Sequence, residues 1–250
     1  MKARFYAPDA HAPGDLVVLP ADEAAHLSRV LRLVPGDPVR VFNGRGQEFD
    51  ARVAQVGRRD VQIAVGRAAP AAAEPRVAVT LALAVLKADG TDAAVRDAVM
   101  LGVAAIQPVV SHRSEVGLAT LERGRRRVRW ERIAIASAKQ CGRATMPDVR
   151  APRRFEALLE DLAEARLPRP AVMFVEPGAA AHAVSLAGLD VPRPAAATVL
   201  VGPEGGWAPG EIARAEAAAC RLVTLRLPTI RAAAMPAVVL AAVLAAWGEL

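Results

Sequence analysis

The chain is poor in cysteine and contains no metal-ligand spacing, and each shortage excludes a class of function. Cys141 and Cys220 lie far apart, and four scattered histidines add no ligand pattern, so neither a metal cluster nor a disulfide framework is expected. Two thiols in a reducing compartment are the expectation. The opening Met1-Lys2-Ala3-Arg4-Phe5-Tyr6 has no apolar signal segment, and no uninterrupted apolar run reaches spanning length; even residues 237–247 fall short. A cytoplasmic protein with no membrane partner is expected. Phosphate-cradle chemistry is also missing: no Lys-Ser/Thr pair follows a glycine loop, and G-x-G-x-x-G does not occur.

What is present is a large apolar stock, 53% of 250 residues and mostly Ala, Val and Leu, enough for a sizeable core. The formal charge is +6, with arginine far outnumbering lysine. That excess suits a polyanionic partner, and it equally suits a GC-rich genome that favours Arg codons.

Residues 1–70 read as short strands (15–19, 39–42, 49–56 and 60–65) around one helix at 22–30 that Asp22 can cap. Asn43-Gly44 is a hairpin signal. Short strands closed by tight turns predict a compact β-barrel. Residues 68–75 are a proline-bounded linker, and the pattern then changes. Strands at 77–86, 105–110, 171–175, 198–201 and 222–225 alternate with helices at 91–101, 130–141 and 155–165 and a last helix opened by Pro236. An α/β domain over 76–250 with a parallel sheet is expected.

The organising stretch is Val199-Leu200-Val201-Gly202-Pro203-Glu204-Gly205-Gly206-Trp207, a buried strand followed by an irregular glycine loop. Pro209 then opens a helix with Glu211 in its first turn, where a carboxylate suits the helix dipole. Such a loop serves as a structural turn or as a ligand cradle, and its own residues leave both open. In an open parallel sheet, ligands bind beyond the carboxyl ends of the strands. Two other strand ends are also loop-rich, Val175-Glu176-Pro177-Gly178 and Leu225-Arg226-Leu227-Pro228-Thr229-Ile230-Arg231. Side by side, the three loops would offer backbone amides and carbonyls to a polar heterocycle.

Gly202-Pro203-Glu204-Gly205-Gly206 followed by Glu211 resembles the G-P-E-G-G-[FWL]-x-x-x-E signature of the bacterial ribosomal RNA small subunit methyltransferase E family. Arg4-Phe5-Tyr6, His26-Leu27-Ser28-Arg29-Val30-Leu31-Arg32-Leu33 with Gly36-Asp37, Phe42-Asn43-Gly44, Leu101-Gly102-Val103, Pro108, Arg113, Trp130, Ile133-Ala134, Gln140-Cys141-Gly142-Arg143 and Pro147 are similar to further family blocks. The resemblance implies a PUA-like barrel followed by a SPOUT α/β domain whose last segments thread a deep trefoil knot. It implies methylation of N3 of a uracil in 16S rRNA (position 1498), with small-subunit rRNA as partner and a homodimer as the assembly. The implied cofactor is S-adenosyl-L-methionine, held by Phe174, Val175 and Glu176, by Leu200, Gly202, Pro203, Glu204, Gly205 and Gly206, and by Leu225, Leu227, Thr229 and Ile230. Arg231 is the implied catalytic cation, favouring the anion that develops at N3. Arg4, Arg29 and Arg32, with His26 beside them, would meet RNA phosphate, as would Arg113 and Arg143. The plainer alternatives are a solvated helix face for Arg29 and Arg32, a packed histidine for His26, and a helix C-terminal charge for Arg143. The basic run 123–132 reads as a solvated loop leading into its helix.

Three departures stand out. The family pattern has carboxylates where this chain has Met100, Lys139 and Ala233. Their joint loss raises the expectation of a common partner. It also keeps two alternatives open: a catalytically impaired RNA-binding paralogue, and a SPOUT methyltransferase with a different RNA acceptor.

Overall fold

The computed structural model describes residues 2–58, 60–188, 191–228 and 230–250. It divides into two compact units, one running to Glu74 and including Ile135–Met146, the other comprising Pro75–Ala134 and Pro147–Leu250. The first break falls at the proline-bounded linker. The return of residues 135–146 to the first unit was not anticipated from the linear pattern.

In the first unit, strands β1 (Arg4–Tyr6), β2 (Leu16–Val18), β3 (Pro38–Phe42), β4 (Glu48–Val56) and β5 (Val61–Ala69) form one sheet in the order β1-β3-β4-β5-β2. Among the described residues only the β1/β3 pair is parallel in this sheet. Alternate residues point inward, so Phe5, Val17, Val41, Val53 and Ile63, one from each strand, meet in a single core with Leu27. The expected barrel is thus a curled sheet, and among the described residues no ladder joins β1 to β2. Asn43 shapes the β3–β4 turn through its side chain: its Oδ1 accepts from the Arg45 amide at 2.9 Å, and Gly44 takes a left-handed φ of 79°.

Helix α1 (Ala21–Ala25) follows Pro20, which occupies the cap position; Asp22 sits in the first turn and is not the cap expected from sequence. The helix widens into a π-turn over His26–Val30, closed by the Leu31 amide on the His26 carbonyl at 3.0 Å.

Polar contacts stitch 135–146 into this unit. Arg4 donates to the carbonyls of Ala138 and Lys139 at 2.8 and 2.9 Å and to those of Gly142 and Arg143 at 3.1 Å. It also holds Glu48 through two nitrogens, at 3.1 and 2.8 Å. Lys139 pairs with Glu23 at 2.9 Å, and Arg143 with Glu74 at 2.7 Å.

The second unit holds β6 (Ala78–Ala84), β7 (Ala105–Val110), β8 (Asp148–Val149), β9 (Arg153–Arg154), β10 (Ala171–Phe174), β11 (Val184–Ser185), β12 (Ala196–Val201) and β13 (Arg221–Thr224). They form a parallel sheet in the order β11-β13-β10-β12-β6-β7-β8, with β9 on β7. The central strands are buried along nearly their whole length, as expected of a sheet covered on both faces. Helices α5 (Phe155–Ala163) and α6 (Pro209–Ala217) pack on the face that carries Ala82, Met173 and Leu200. The alternate residues face α7 (Met235–Ala246), which packs against α2 (Gly90–Met100). Helix α3 (Leu118–Arg123) precedes α4 (Arg126–Cys141). Most of the basic run expected as a loop is therefore helical. Arg127 pairs with Glu131 one turn on, and Arg129 and the buried Trp130 both bind Asp92 of α2. Cys220 is a core thiol, pushed up to about 11 by burial. No described helix is long and apolar enough to cross a membrane.

Candidate functional site

Strands β13, β10 and β12 are neighbours and run parallel, so their carboxyl ends open side by side. The loops that follow enclose a pocket of about 630 Å³, within the ~300–1,000 Å³ common for small-molecule sites. The β10 end contributes Phe174, Val175 and Glu176, the β12 loop Gly202, Pro203 and Glu204, and the last loop Leu225, Leu227, Ile230 and Arg231. These ten expected residues are brought together. Leu200 lies beneath in the core, fully buried, and Thr229 lies outside the described residues. Gly205 and Gly206 do not line the cavity but stand behind it. A side chain at Gly205 would press on Arg113, and one at Gly206 would run into the Glu176 carboxylate from a left-handed φ of 67°. Pro228 lines the cavity from within the expected last loop, whereas Val201 and Met235 were missed from sequence. The rule about strand ends reaches Val201, whereas Met235 enters only because the last helix starts where the loop folds back.

The glycine loop is fixed from several sides. Trp207, 2% exposed, stacks near Phe155 and donates its Nε1–H to the Phe174 carbonyl at 3.0 Å, tying the β12 loop to the β10 end. Glu211 is 1% exposed, and its two oxygens accept from the Ala208 amide at 2.9 Å and the His112 amide at 2.8 Å. Its expected place at the start of α6 holds, and it also fastens that helix to the chain leaving β7. Glu204 accepts from the Lys87 amide at 3.0 Å, joining the loop to the β6 end. Lys87 in turn pairs with Glu115, which raises its pKa. Lys87 was missed, although the same rule about strand ends points to it. Arg113 donates to the Gly205 carbonyl, so its guanidinium braces the loop.

The remaining expected RNA contacts separate clearly. Arg29 and Arg32 are exposed, and Arg29 borders a second small cavity with Arg58. His26 is half-buried with its ring 6.2 Å from Phe5. Arg4 and Arg143 are turned inward. Arg4 caps the end of α4, the task the plainer reading gave to Arg143, while the 5%-exposed Arg143 is paired with Glu74. Neither offers a free guanidinium to phosphate.

Each of the three departures has its own surroundings. Lys139 is held by Glu23 and lies 5.1 Å over the Phe5 ring; Met100 is 38% exposed at the end of α2; Ala233 lies near Gly90.

Chemically, the pocket combines apolar walls from Val201, Leu225, Leu227 and Ile230 with loop backbone, the carboxylate of Glu176 and the guanidinium of Arg231. Arg231 is exposed, and among the described residues its guanidinium has no partner. Such a lining fits a heterocyclic ligand with a charged end. Among the described residues no group of three His, Cys, Asp or Glu side chains is placed to hold a metal ion.

Two family profiles match the chain: an RNA methyltransferase domain over residues 73–244 and an RNA methyltransferase PUA domain over residues 19–66. The ribosomal RNA small subunit methyltransferase E of Synechocystis sp. is 30% identical over 211 residues, 80% of this chain and 63% of the relative. The chain thus spans less than two thirds of that relative. The protein of the same description from Mycobacterium tuberculosis is 28% identical over 225 residues, 87% of this chain and 83% of the relative. The crystal structure of a ribosomal RNA small subunit methyltransferase E from Neisseria gonorrhoeae bound to S-adenosyl methionine has a TM-score of 0.84 at 30% identity, covering 99% of this chain and 98% of that one. A Legionella pneumophila structure with bound SAM reaches 0.88 at 24% identity over 98% of both chains, a likeness of fold alone.

Proposed function

This chain belongs to the ribosomal RNA small subunit methyltransferase E family of RNA methyltransferases, and on that premise we propose that it methylates N3 of a uracil in 16S rRNA with S-adenosylmethionine bound in the three-loop pocket. The observation that carries this reading is the pocket itself: three adjacent strand ends, a glycine loop braced by Trp207 and Glu211, and at the lining an Arg231 guanidinium with no partner among the described residues. The methyl donor supplies an electrophilic methyl group when bound. The chain's own part is to hold the donor between the loops, keep water from its apolar side, and set the Arg231 guanidinium beside uracil N3 as that nitrogen gives its proton up to solvent water. The developing anion is then stabilised by a charge already in place.

The same reading carries the threading of the last segments as a deep trefoil knot, a cytoplasmic location where ribosomes are, and a homodimer. Helix α7 leaves Ala237, Val238, Ala241 and Ala242 half-buried, a small-residue face suited to a second copy. A monomeric mass by light scattering would contradict the dimer.

Arg29 and Arg32 remain the candidates for phosphate contact in the first unit. Replacing both with alanine is expected to weaken binding to small-subunit rRNA and to reduce the slope of log affinity against log salt by about 1–2. An unchanged slope would leave them as ordinary surface charges. The functional reading is tested by deleting the gene and mapping the nucleosides of 16S rRNA by mass. One 3-methyluridine is expected to disappear and to return on complementation. Its persistence in the deletion strain would refute the assignment, and loss of a methyl group from another RNA would redirect it.

A further inference from the structure

The loop after β10 presents an exposed carboxylate that has no protein partner among the described residues. β10 ends at Phe174, Val175 is buried, and the chain turns outward at Glu176, whose carbonyl takes the Ala179 amide at 3.0 Å. The Glu176 side chain folds back over the glycine loop onto Gly206, where a methyl group would collide with it. The left-handed Gly206 therefore leaves the space that the carboxylate fills. Among the described residues no hydrogen bond or ion pair engages this carboxylate. Glu176 itself lines the cavity.

The ionisable side chains lining the cavity are Glu176, Glu204 and Arg231. Glu204 already accepts the Lys87 amide. Among the described lining residues two carboxylates stand against one guanidinium, a net lining charge of one negative, and the carboxylate without a protein partner there is Glu176. A pocket of this charge favours a ligand with one net positive charge over a neutral one of the same shape.

We propose that Glu176 is a specificity-determining residue that reads the charge on the cofactor's sulfur, holding the cationic methyl donor and releasing the neutral product. The inference rests on the reading of the pocket as a site for S-adenosylmethionine. The donor carries a sulfonium, an ammonium and a carboxylate, for a net charge of +1. Loss of the methyl group leaves S-adenosylhomocysteine, a neutral zwitterion of nearly the same shape. An attraction present for the first and absent for the second lowers product inhibition without any change of conformation.

The test is calorimetric binding of three ligands to the full chain and to Glu176→Gln: S-adenosylmethionine, S-adenosylhomocysteine, and sinefungin, which carries an amine in place of the sulfonium. The glutamine variant is expected to bind S-adenosylmethionine and sinefungin about tenfold more weakly, as for a partly exposed charge contact, while S-adenosylhomocysteine binds about as before. Glu176→Asp, which keeps the charge, is expected to retain part of the preference. An equal loss for all three ligands would reduce Glu176 to a shape contact and overturn the proposal, as would no loss for any. Failure of the unaltered protein to bind any of the three would instead refute the cofactor assignment on which the proposal rests.

Discussion

Replacing Arg4 with alanine is expected to destabilise the first unit by on the order of 3–5 kcal/mol, the cost typical of breaking a buried ion pair from one side. Its side chain is only 11% exposed, and its partner Glu48 only 3%. Alanine would strip Glu48 of its bidentate partner, leaving the longer 3.4 Å contact with Arg40, and would take one donor from each of the four carbonyls at the end of α4, of which Ala138 keeps the Gly142 amide. Lysine would keep the charge but not the planar fork, so Arg4→Lys should recover less than half of the loss. Urea unfolding of the full chain measures both. A change within about 0.5 kcal/mol, the range of ordinary surface substitutions, would return Arg4 to the surface and to RNA.

The second large effect is expected at Glu211. Alanine there would leave the Ala208 and His112 amides without their acceptor, at about 1–3 kcal/mol each when shielded from water. Because these two bonds fix the start of α6 against the segment after β7, affinity for S-adenosylmethionine should fall along with stability. Glutamine keeps the shape but only one acceptor oxygen, so its loss should be about half. Undiminished cofactor affinity in Glu211→Ala would show that the glycine loop holds its form without this brace.

Much of the second unit was legible because parallel strands are apolar along their length and β6, β7, β10, β12 and β13 stand out as such runs. Their order in the sheet is a property of long-range packing, yet the rule that ligands sit at strand ends marked the three loops in advance, and the family resemblance named ten residues that line the pocket. Arg4 and Arg143 were misread because a guanidinium looks the same in sequence whether it meets phosphate or a carbonyl 134 residues away. Helix α4 was read as starting at Trp130 because Arg125, Arg126 and Arg127 interrupt any apolar period; its first turns are tied down instead by Asp92 on α2. Strand β1 was overlooked as only three residues long, paired in parallel with β3. The widened turn at His26–Val30 carries no local signal at all.

The chain lacks the family's carboxylates at Met100, Lys139 and Ala233. Lys139 has its own counter-ion in Glu23, within the first unit, and its ammonium is held there. We therefore expect turnover to survive. The most direct measurement is transfer of labelled methyl from S-adenosylmethionine to small ribosomal subunits purified from the deletion strain. The account predicts label at N3 of one 16S uracil with the natural chain and its near-complete loss with Arg231→Ala, while cofactor binding to that variant persists. Absence of label with the natural chain, at full occupancy of the cofactor pocket, would contradict it.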